Sequence, residues 1–580
     1  MAIEALIQID HGSGWLHLTD PVRLIHTNNS GAVIESIERA ATLARREGWF
    51  AVGYVKYEAG AAFGLSVRDD GSGLPLVWFA LFDSSHVRRI GRPEPGGPYA
   101  IDSVQPSIDR EQFLGALARI KDYIADGDTY QVNFTFRMRG AFRGDPQSLF
   151  VDLTNAQQGR YSAFIRMGDF SVCSASPELF FSHRHGRVEA RPMKGTARRG
   201  RTLSEDVAQV RALRTSAKER AENVMIVDMV RNDLGRIAET GSIQVPSLYS
   251  VERYPTVWQM TSTVTGRASR PLEEIFAAVH PAASVTGAPK VRTMQIVREL
   301  EHEPRGIYTG SIGYVEPGGA AQFNVAIRTA VIDHRVGVLE FGVGSGVVWD
   351  SDAAKEYEEC LLKGAVLGRR DPQFDLLETL RWTPEERFFL LERHLHRLQE
   401  SARYFGFRCR LPDVREALER AVAAAGGALR IRLLVGRDGG IRTEASPLEL
   451  STGTLRVGMA AMPIDPADPF LFHKTTNRPQ QERERSPAYD EMMLWNPAGE
   501  ITEAMTANIV VDLDGRAATP PVECGLLAGT LRAELLAAGK ICEARITVDQ
   551  LRSSPRFWLI NSVRGWRPAV LDPRLESDES

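Results

Sequence analysis

Arg191-Pro192-Met193-Lys194-Gly195-Thr196 places one lysine on a short loop, just before a Gly-Thr turn. Downstream of it, Ser216–Asn232 reads as a long amphipathic helix ended by the Leu234-Gly235 corner. Glu219 and Glu222 sit three apart on that helix, and Glu356 and Glu359 repeat the spacing on a second one, so each pair shares a helical face. Paired acids on two helices can clamp a hard cation such as Mg²⁺, although the spacing alone also suits a solvated helix surface.

Around this loop the pattern mixes strands and helices. Alternation predicts strands at Trp15–Leu18, Val52–Tyr57, Gln131–Arg139, Ser162–Arg166, Phe170–Ser174 and Leu179–His183. Further strands are expected at Gly306–Val315, Gln322–Asp333 and Gly337–Val348, feeding a helix near Asp352–Leu367. Helices are also predicted over Ala32–Glu47 and from a Ser107 cap to Ala125, with Pro93–Pro98 as a loop. Arg369-Arg370-Asp371-Pro372 punctuates the chain, and the pattern restarts with a strand at Asp375–Arg381 and a helix at Glu392–Phe405. A domain boundary is therefore expected near residue 370, giving domains over 1–370 and 371–580.

The 580 residues exceed what one hydrophobic core usually serves, in keeping with that division. A 43% hydrophobic and 25% charged composition is that of an ordinary globular protein. A net charge of −4 argues against a protein held to nucleic acid by phosphate contacts. No basic-then-apolar leader and no long apolar stretch is evident, so neither a signal peptide nor a membrane span is expected. Cys173, Cys360, Cys409, Cys524 and Cys542 form no CxxC pair, which disfavours disulfide scaffolds and cysteine zinc sites. A cytoplasmic enzyme is the default.

Several motifs occur in order: Ser174-Ala-Ser-Pro-Glu178, the Lys194 loop, Ser216-Ala-Lys-Glu-Arg-Ala-Glu222, Ile226-Val-Asp-Met-Val-Arg231-Asn-Asp233-Leu-Gly235, His280-Pro281 with Thr286-Gly-Ala-Pro289, Tyr308-Thr-Gly-Ser-Ile-Gly313, and Asp350-Ser-Asp352 with Glu356-Tyr-Glu-Glu359. In that order they resemble the chorismate-binding domain of anthranilate synthase component I, aminodeoxychorismate synthase component I, and isochorismate and salicylate synthases. The resemblance covers roughly residues 100 to 368. It implies an α+β fold, a β-sandwich with helices like that of anthranilate synthase component I. It further implies that Glu222 and Glu359 hold Mg²⁺ with Glu219 and Glu356 nearby, the ion neutralising a carboxylate of chorismate. Arg328, Tyr308 and Lys363, with the Gly344-Ser345-Gly346 backbone, would grip the enolpyruvyl carboxylate. Thr196, Thr286 and Gly287 would complete the pocket, His280 would orient ring substituents, and Glu178 would protonate the departing 4-hydroxyl.

Two positions choose among reactions within that family. Its water-adding members carry a lysine base where this chain has Gln131, and anthranilate synthases generally have alanine in the Lys194 slot. Lysine at 194 resembles aminodeoxychorismate synthase component I, implying attack of the Lys194 amine on C2 of chorismate before ammonia adds at C4. No glutaminase-type cysteine is found, so the resemblance implies ammonia from a separate glutamine amidotransferase subunit.

The last third resembles the fold-type IV pyridoxal-phosphate enzymes, particularly aminodeoxychorismate lyase. The matching pieces are Phe374-Asp-Leu-Leu-Glu-Thr379, His394-Leu-His-Arg397-Leu398, His473-Lys474-Thr-Thr-Asn477-Arg478, Ile501-Thr-Glu503-Ala-Met-Thr506-Ala-Asn508, Gly529-Thr-Leu-Arg532 and Asn561-Ser562-Val-Arg-Gly-Trp566. The resemblance implies a second α+β domain that binds pyridoxal 5′-phosphate. Lys474 would bond the cofactor and Glu503 keep its pyridine nitrogen protonated, with Asn508 close by. Arg397, Gly529, Thr530, Leu531 and Ser562 would hold the phosphate. Gly-Thr-Leu-Arg replaces the Gly-Ile-Thr-Arg of many relatives. Together the two halves imply chorismate amination followed by pyruvate elimination to 4-aminobenzoate, with a possible homodimer through the second domain. An aminotransferase or a catalytically silent module in the second position are the competing readings.

Overall fold

The computed structural model describes residues 3–9, 14–69, 71–368, 372–449, 453–554 and 556–572. By its internal contacts the chain divides into two compact units, Met1–Arg198 with Val210–Asp371, and Arg199–Gln209 with Pro372–Ser580. The expected boundary near residue 370 falls on residues 369–371, outside the described ones.

The first unit is built on two ten-stranded, largely antiparallel sheets. Strand Val77–Asp83 shows why they stack. Its residues are apolar on both faces, so Val77, Phe79 and Leu81 join a core with Ile37 and Phe276. Trp78, Ala80 and Phe82 face the other way, into a core shared with Ile7, Leu16 and Ile165 of the opposite sheet. Helices cover the outer faces. Val33–Glu47 and Leu272–Val279 pack on one sheet; Arg110–Ala125, Pro146–Gln157, Lys290–Leu300 and Ala353–Gly364 cover the other around Phe113, Phe134, Phe136 and Tyr357. The result is the expected α+β sandwich clothed by helices.

The second unit is also α+β. A four-stranded antiparallel sheet carries Leu376–Thr383 and Leu429–Val435 at its centre, packed by helices Leu391–Phe405 and Leu411–Val422. An eight-stranded mixed sheet holds Ile501–Ala504, Asn508–Leu513 and Phe557–Asn561.

Several sequence expectations shift. The helix expected to start at Ser107 is capped by Asp109 instead, whose carboxylate and Gln112 form a reciprocal capping box. The strand expected over Gln322–Asp333 is two strands in different sheets, Ala321–Val325 and Thr329–Asp333. Arg328 takes the break, with a left-handed φ of 53°. Likewise Gly306–Val315 is a strand only from Ser311, and Tyr57 lies in a 3₁₀ turn after a strand that ends at Val55. A period-2 apolar pattern does not reveal a corner where a strand changes sheets, because both halves remain buried.

Candidate functional site

The sheet-switching corners build the first site. Phe170–Ser174 lies in one sheet and Leu179–Arg184 in the other, so Ser174–Glu178 forms a second corner beside the one at Arg328. The corners are laced together: the Ala175 N–H donates to the Arg328 carbonyl at 3.0 Å, and the Val325 N–H to the Glu178 carbonyl at 3.1 Å. Both Glu178 and Arg328 are thereby fixed by backbone rather than by loop preference.

Lys194 enters from strand Met193–Arg198, whose pairing with Val257–Arg267 shifts register between Met193 and Thr196. Gly195 sits in that bulge at φ 98°, a conformation that only glycine adopts without strain. The bulge sends Lys194 inward, and its amine and the Gln131 amide both come close to Gly346. A Cβ built on Gly346 would stand 2.5 Å from Lys194 Nζ and 3.0 Å from Gln131 Nε2. It also turns Thr196 outward, where an exposed hydroxyl donates to Gln259 at 3.0 Å, so Thr196 does not join the group. Asn223 holds the Lys194 carbonyl at 3.1 Å and is itself held by the Ser262 hydroxyl at 2.6 Å. Gln131 is fully buried and neither end of its amide has a hydrogen-bond partner. A buried amide left open is costly unless a ligand completes it.

The electrostatics around Lys194 fit a nucleophile. Burial lowers its pKa, and Lys363 adds to that, while Glu222, Glu178 and Glu359 oppose it. Burial raises Glu178 to about 7 even though the Ser284 hydroxyl donates to it at 2.6 Å. A carboxyl poised there can be protonated at neutral pH and give up its proton. Burial also raises Glu222, with Glu219 and Glu356 pushing the same way and Lys194 against. Glu359 behaves differently: burial alone would raise it, but Lys363 at 2.7 Å holds it below the ordinary range.

The remaining expected residues distribute as follows. Lys363 also donates to the Gly344 carbonyl at 2.9 Å, and the Ser345 hydroxyl donates to Glu356. Arg328 bonds the Lys363 carbonyl at 3.4 Å, and burial lowers its pKa while Tyr308 and Glu359 support its charge. Tyr308 is buried, which pushes its hydroxyl up to about 12, and packs where a side chain at Gly342 would overlap its ring. Gly287 pairs with Val132 so closely that a Cβ would stand 2.1 Å from the Gln131 carbonyl. The Thr286 hydroxyl turns back onto the Ala282 and Ala283 carbonyls, each at 3.2 Å. His280 is neutral, its pKa driven to about 3 by burial, and lies among Phe63, Phe180 and Phe276. Its Nε2–H donates to the Lys56 carbonyl at 3.0 Å, and Nδ1 is buried without a partner. Among the described residues no three acidic or histidine groups already converge on one point. Glu219 and Glu356 nonetheless both press on the Glu222 carboxylate, and an all-oxygen donor set of this kind suits a hard cation.

The second site is a cavity of about 380 Å³ whose lining includes Arg397, Lys474, Glu503, Asn508, Gly529, Thr530, Leu531 and Ser562. Lys474 is withdrawn from water and its pKa falls to about 7 through burial, helped by Arg478 and Arg397. The Lys474 carbonyl accepts from the Leu377 N–H at 3.0 Å, tying it to the four-stranded sheet. Glu503 is raised to about 7 by burial. One of its oxygens accepts from the Asn508 amide at 3.2 Å and the other is buried without a partner. An orphan carboxylate oxygen beside a buried lysine fits the pyridine nitrogen and C4′ ends of pyridoxal phosphate. Asn508 spends its other N–H on the Leu527 carbonyl at 2.9 Å, so it sets Glu503 in place.

The phosphate end fits as well. Gly529 precedes helix Thr530–Ala537, where a Cβ would stand 2.0 Å from Asn508 Oδ1, so the backbone forms a close cradle at a helix start. Arg397 is aimed by Glu378, which accepts from it at 2.9 and 2.7 Å and from His394 at 2.6 Å. Burial alone would raise Glu378, but Arg397 and His394 hold its carboxyl at about 2. Glu378 and Ser284 were not identified from the sequence. Glu378 lies inside the Phe374–Thr379 motif and Ser284 between His280-Pro281 and Thr286, but nothing in spacing marks a residue that acts by orienting another.

Residues 10–369 match the chorismate binding enzyme family. The chain belongs to that family. As a chorismate-binding enzyme it is 42% identical over 311 residues to aminodeoxychorismate synthase of Streptomyces griseus, covering 52% of this chain and 43% of that one. It is also 42% identical over 255 residues to aminodeoxychorismate synthase component 1 of Klebsiella aerogenes, covering 44% and 56%. The chain thus spans about half the length of these relatives. The solved structure of anthranilate synthase component I from Streptococcus pneumoniae superposes with a TM-score of 0.52 at 27% identity, over 61% of this chain and 92% of that one. Residues 375–571 match the amino-transferase class IV family, whose fold carries pyridoxal phosphate.

Proposed function

We propose that this chorismate-binding enzyme makes 4-aminobenzoate in two steps, one in each unit, with a division near residue 370. The observation that carries the reading is the meeting of Lys194 and Gln131 at Gly346, within the field of Glu178 and the paired glutamates. In the first step the Lys194 amine bonds to C2 of chorismate as the ring double bonds shift and the C4–O bond breaks. Glu178 gives its proton to the departing hydroxyl, which leaves as water. Ammonia then adds at C4 and the Nζ–C2 bond breaks, returning Lys194 and yielding 4-amino-4-deoxychorismate.

Arg328, Tyr308 and Lys363, with the Gly344–Gly346 backbone, hold the enolpyruvyl carboxylate, while Glu219, Glu222, Glu356 and Glu359 are the residues that would hold Mg²⁺. The ion, when bound, offsets the charge of a chorismate carboxylate. Ammonia comes from a separate glutamine amidotransferase, consistent with a relative named as a component 1.

In the second step Lys474 carries the acid–base work of expelling pyruvate and making the ring aromatic. Glu503 keeps a proton on the ring nitrogen of pyridoxal phosphate, and Arg397, Gly529, Thr530, Leu531 and Ser562 hold the phosphate. The cofactor, when bound, supplies the electron sink for that elimination. Pairing with a domain that forms the lyase substrate favours elimination over amino transfer. Among the described residues no helix is long and apolar enough to cross a membrane. The scattered free cysteines accord with a reducing, cytoplasmic setting, and a homodimer through the second unit completes the reading. Substituting Lys194→Ala in the full chain should stop ammonium- and Mg²⁺-dependent loss of chorismate. Undiminished loss would refute the assignment.

A further inference from the structure

The second cavity is lined by six arginines and Lys474 against only Glu482 and Glu503. Arg397 is committed to Glu378, and the helix start at Gly529 serves the phosphate end. Glu503 is the buried partner of the ring nitrogen in the reading above. Five arginines are left over: Arg430, Arg432, Arg478, Arg485 and Arg564.

Their side chains are poorly neutralised. Among the described residues Arg430, Arg478, Arg485 and Arg564 form no ion pair, and Arg432 reaches only Glu444, at 3.4 Å on an exposed edge. Arg478 spends one N–H on the Met505 carbonyl at 2.6 Å, is felt by the buried Glu503 and Glu491 carboxyls without pairing with either, and lies close enough to Lys474 to depress its pKa after burial. Arg430 and Arg432 alternate along strand Leu429–Val435, so both project from the same face, and Thr379 opposite Arg432 lines the same cavity. Such convergence of like charges is unfavourable in an empty pocket and is relieved by an anion. Guanidinium forks bind carboxylates bidentately.

We infer that Arg430 and Arg432, with Arg478, Arg485 and Arg564, form a carboxylate-reading array that selects a dicarboxylate substrate for the second site. The inference rests on the two-step reading, in which that substrate carries a ring carboxylate and an enolpyruvyl carboxylate. A monocarboxylate amino acid would leave several guanidiniums unmatched, so the array distinguishes the proposed substrate from ordinary amino donors.

The test uses the full chain loaded with pyridoxal phosphate and two non-reacting probes, benzoate and isophthalate, titrated against the cofactor's visible absorbance. Isophthalate should bind at least roughly tenfold more tightly than benzoate, the worth of one added charged hydrogen-bonded contact. Arg430→Gln and Arg432→Gln should each pull that ratio toward one, with the cofactor spectrum of the unliganded protein unchanged. Arg430→Lys should restore part of it. Equal binding of the two probes by the unaltered protein, or a ratio that both substitutions leave intact, would overturn the array. The probes do not react, so the ratio decides the array even if 4-amino-4-deoxychorismate releases no pyruvate. That failure would count against the two-step reading instead.

Discussion

Lys194 and Gln131 converge on Gly346: a Cβ there would lie 2.5 Å from the lysine Nζ and 3.0 Å from the glutamine Nε2. The atoms displaced are the far ends of flexible side chains, so Gly346→Ala should fold. It should move the amine from its working position and lower chorismate amination by about 100-fold, the scale of an ångström-sized misplacement. Steady-state kinetics on the folded variant checks this, with the absorbance of bound pyridoxal phosphate unchanged.

Glu178 must be protonated to act as the acid, and burial sets its pKa at about 7. Amination kcat/KM should therefore fall as pH rises through about 7, as the protonated fraction is lost. Lys194 must be deprotonated, and its pKa is lowered, so its demand runs in the opposite direction. Glu178→Gln should abolish the alkaline decline while lowering the rate by about 100-fold or more. An unchanged alkaline limb would show that another group titrates.

Chelation separates the two sites. Removing divalent cations should stop loss of chorismate, and added Mg²⁺ should restore it. Conversion of supplied 4-amino-4-deoxychorismate to 4-aminobenzoate should continue throughout, because the chemistry proposed for the second site calls on pyridoxal phosphate and not on a divalent cation. Glu222→Gln should weaken the response to Mg²⁺, read as a higher concentration for half-maximal rate.

Glu503→Ala should leave amination intact and slow pyruvate release by at least about 100-fold, the loss typical of a preorganised electrostatic group. Coupled assay of pyruvate from 4-amino-4-deoxychorismate measures it.

The first site also rests on a buried ion pair. Arg305, 1% exposed, bonds Glu301 at 2.7 Å, the Val285 carbonyl at 2.7 Å and the Asn133 carbonyl at 2.6 Å, bracing the segments that carry Thr286 and Gln131. Glu301→Ala would leave a buried charge uncompensated and should cost about 3–5 kcal/mol in denaturant unfolding of the chain.

The helix beginning at Ser216 and the segments that carry the proposed sites could be read in advance, because caps, periodicity and motif order are local signals. The corners could not. Ala321–Val325 and Thr329–Asp333 form one apolar run in sequence, and only pairing in three dimensions assigns them to different sheets and puts Arg328 between them. Thr196, expected in the pocket from the family resemblance, lies apart for a related reason: two residues on from Lys194, it would share its face on a regular strand. The Gly195 bulge reverses that. Glu378 escaped notice because it does its work through Arg397.

The most direct measurement supplies the full chain with chorismate, ammonium, Mg²⁺ and pyridoxal phosphate, and identifies the aromatic product by chromatography and mass. 4-Aminobenzoate and pyruvate are expected in equal amounts, with Lys194→Ala forming neither. Anthranilate as the product would contradict the role given to Lys194, and accumulated 4-amino-4-deoxychorismate would contradict the role given to Lys474.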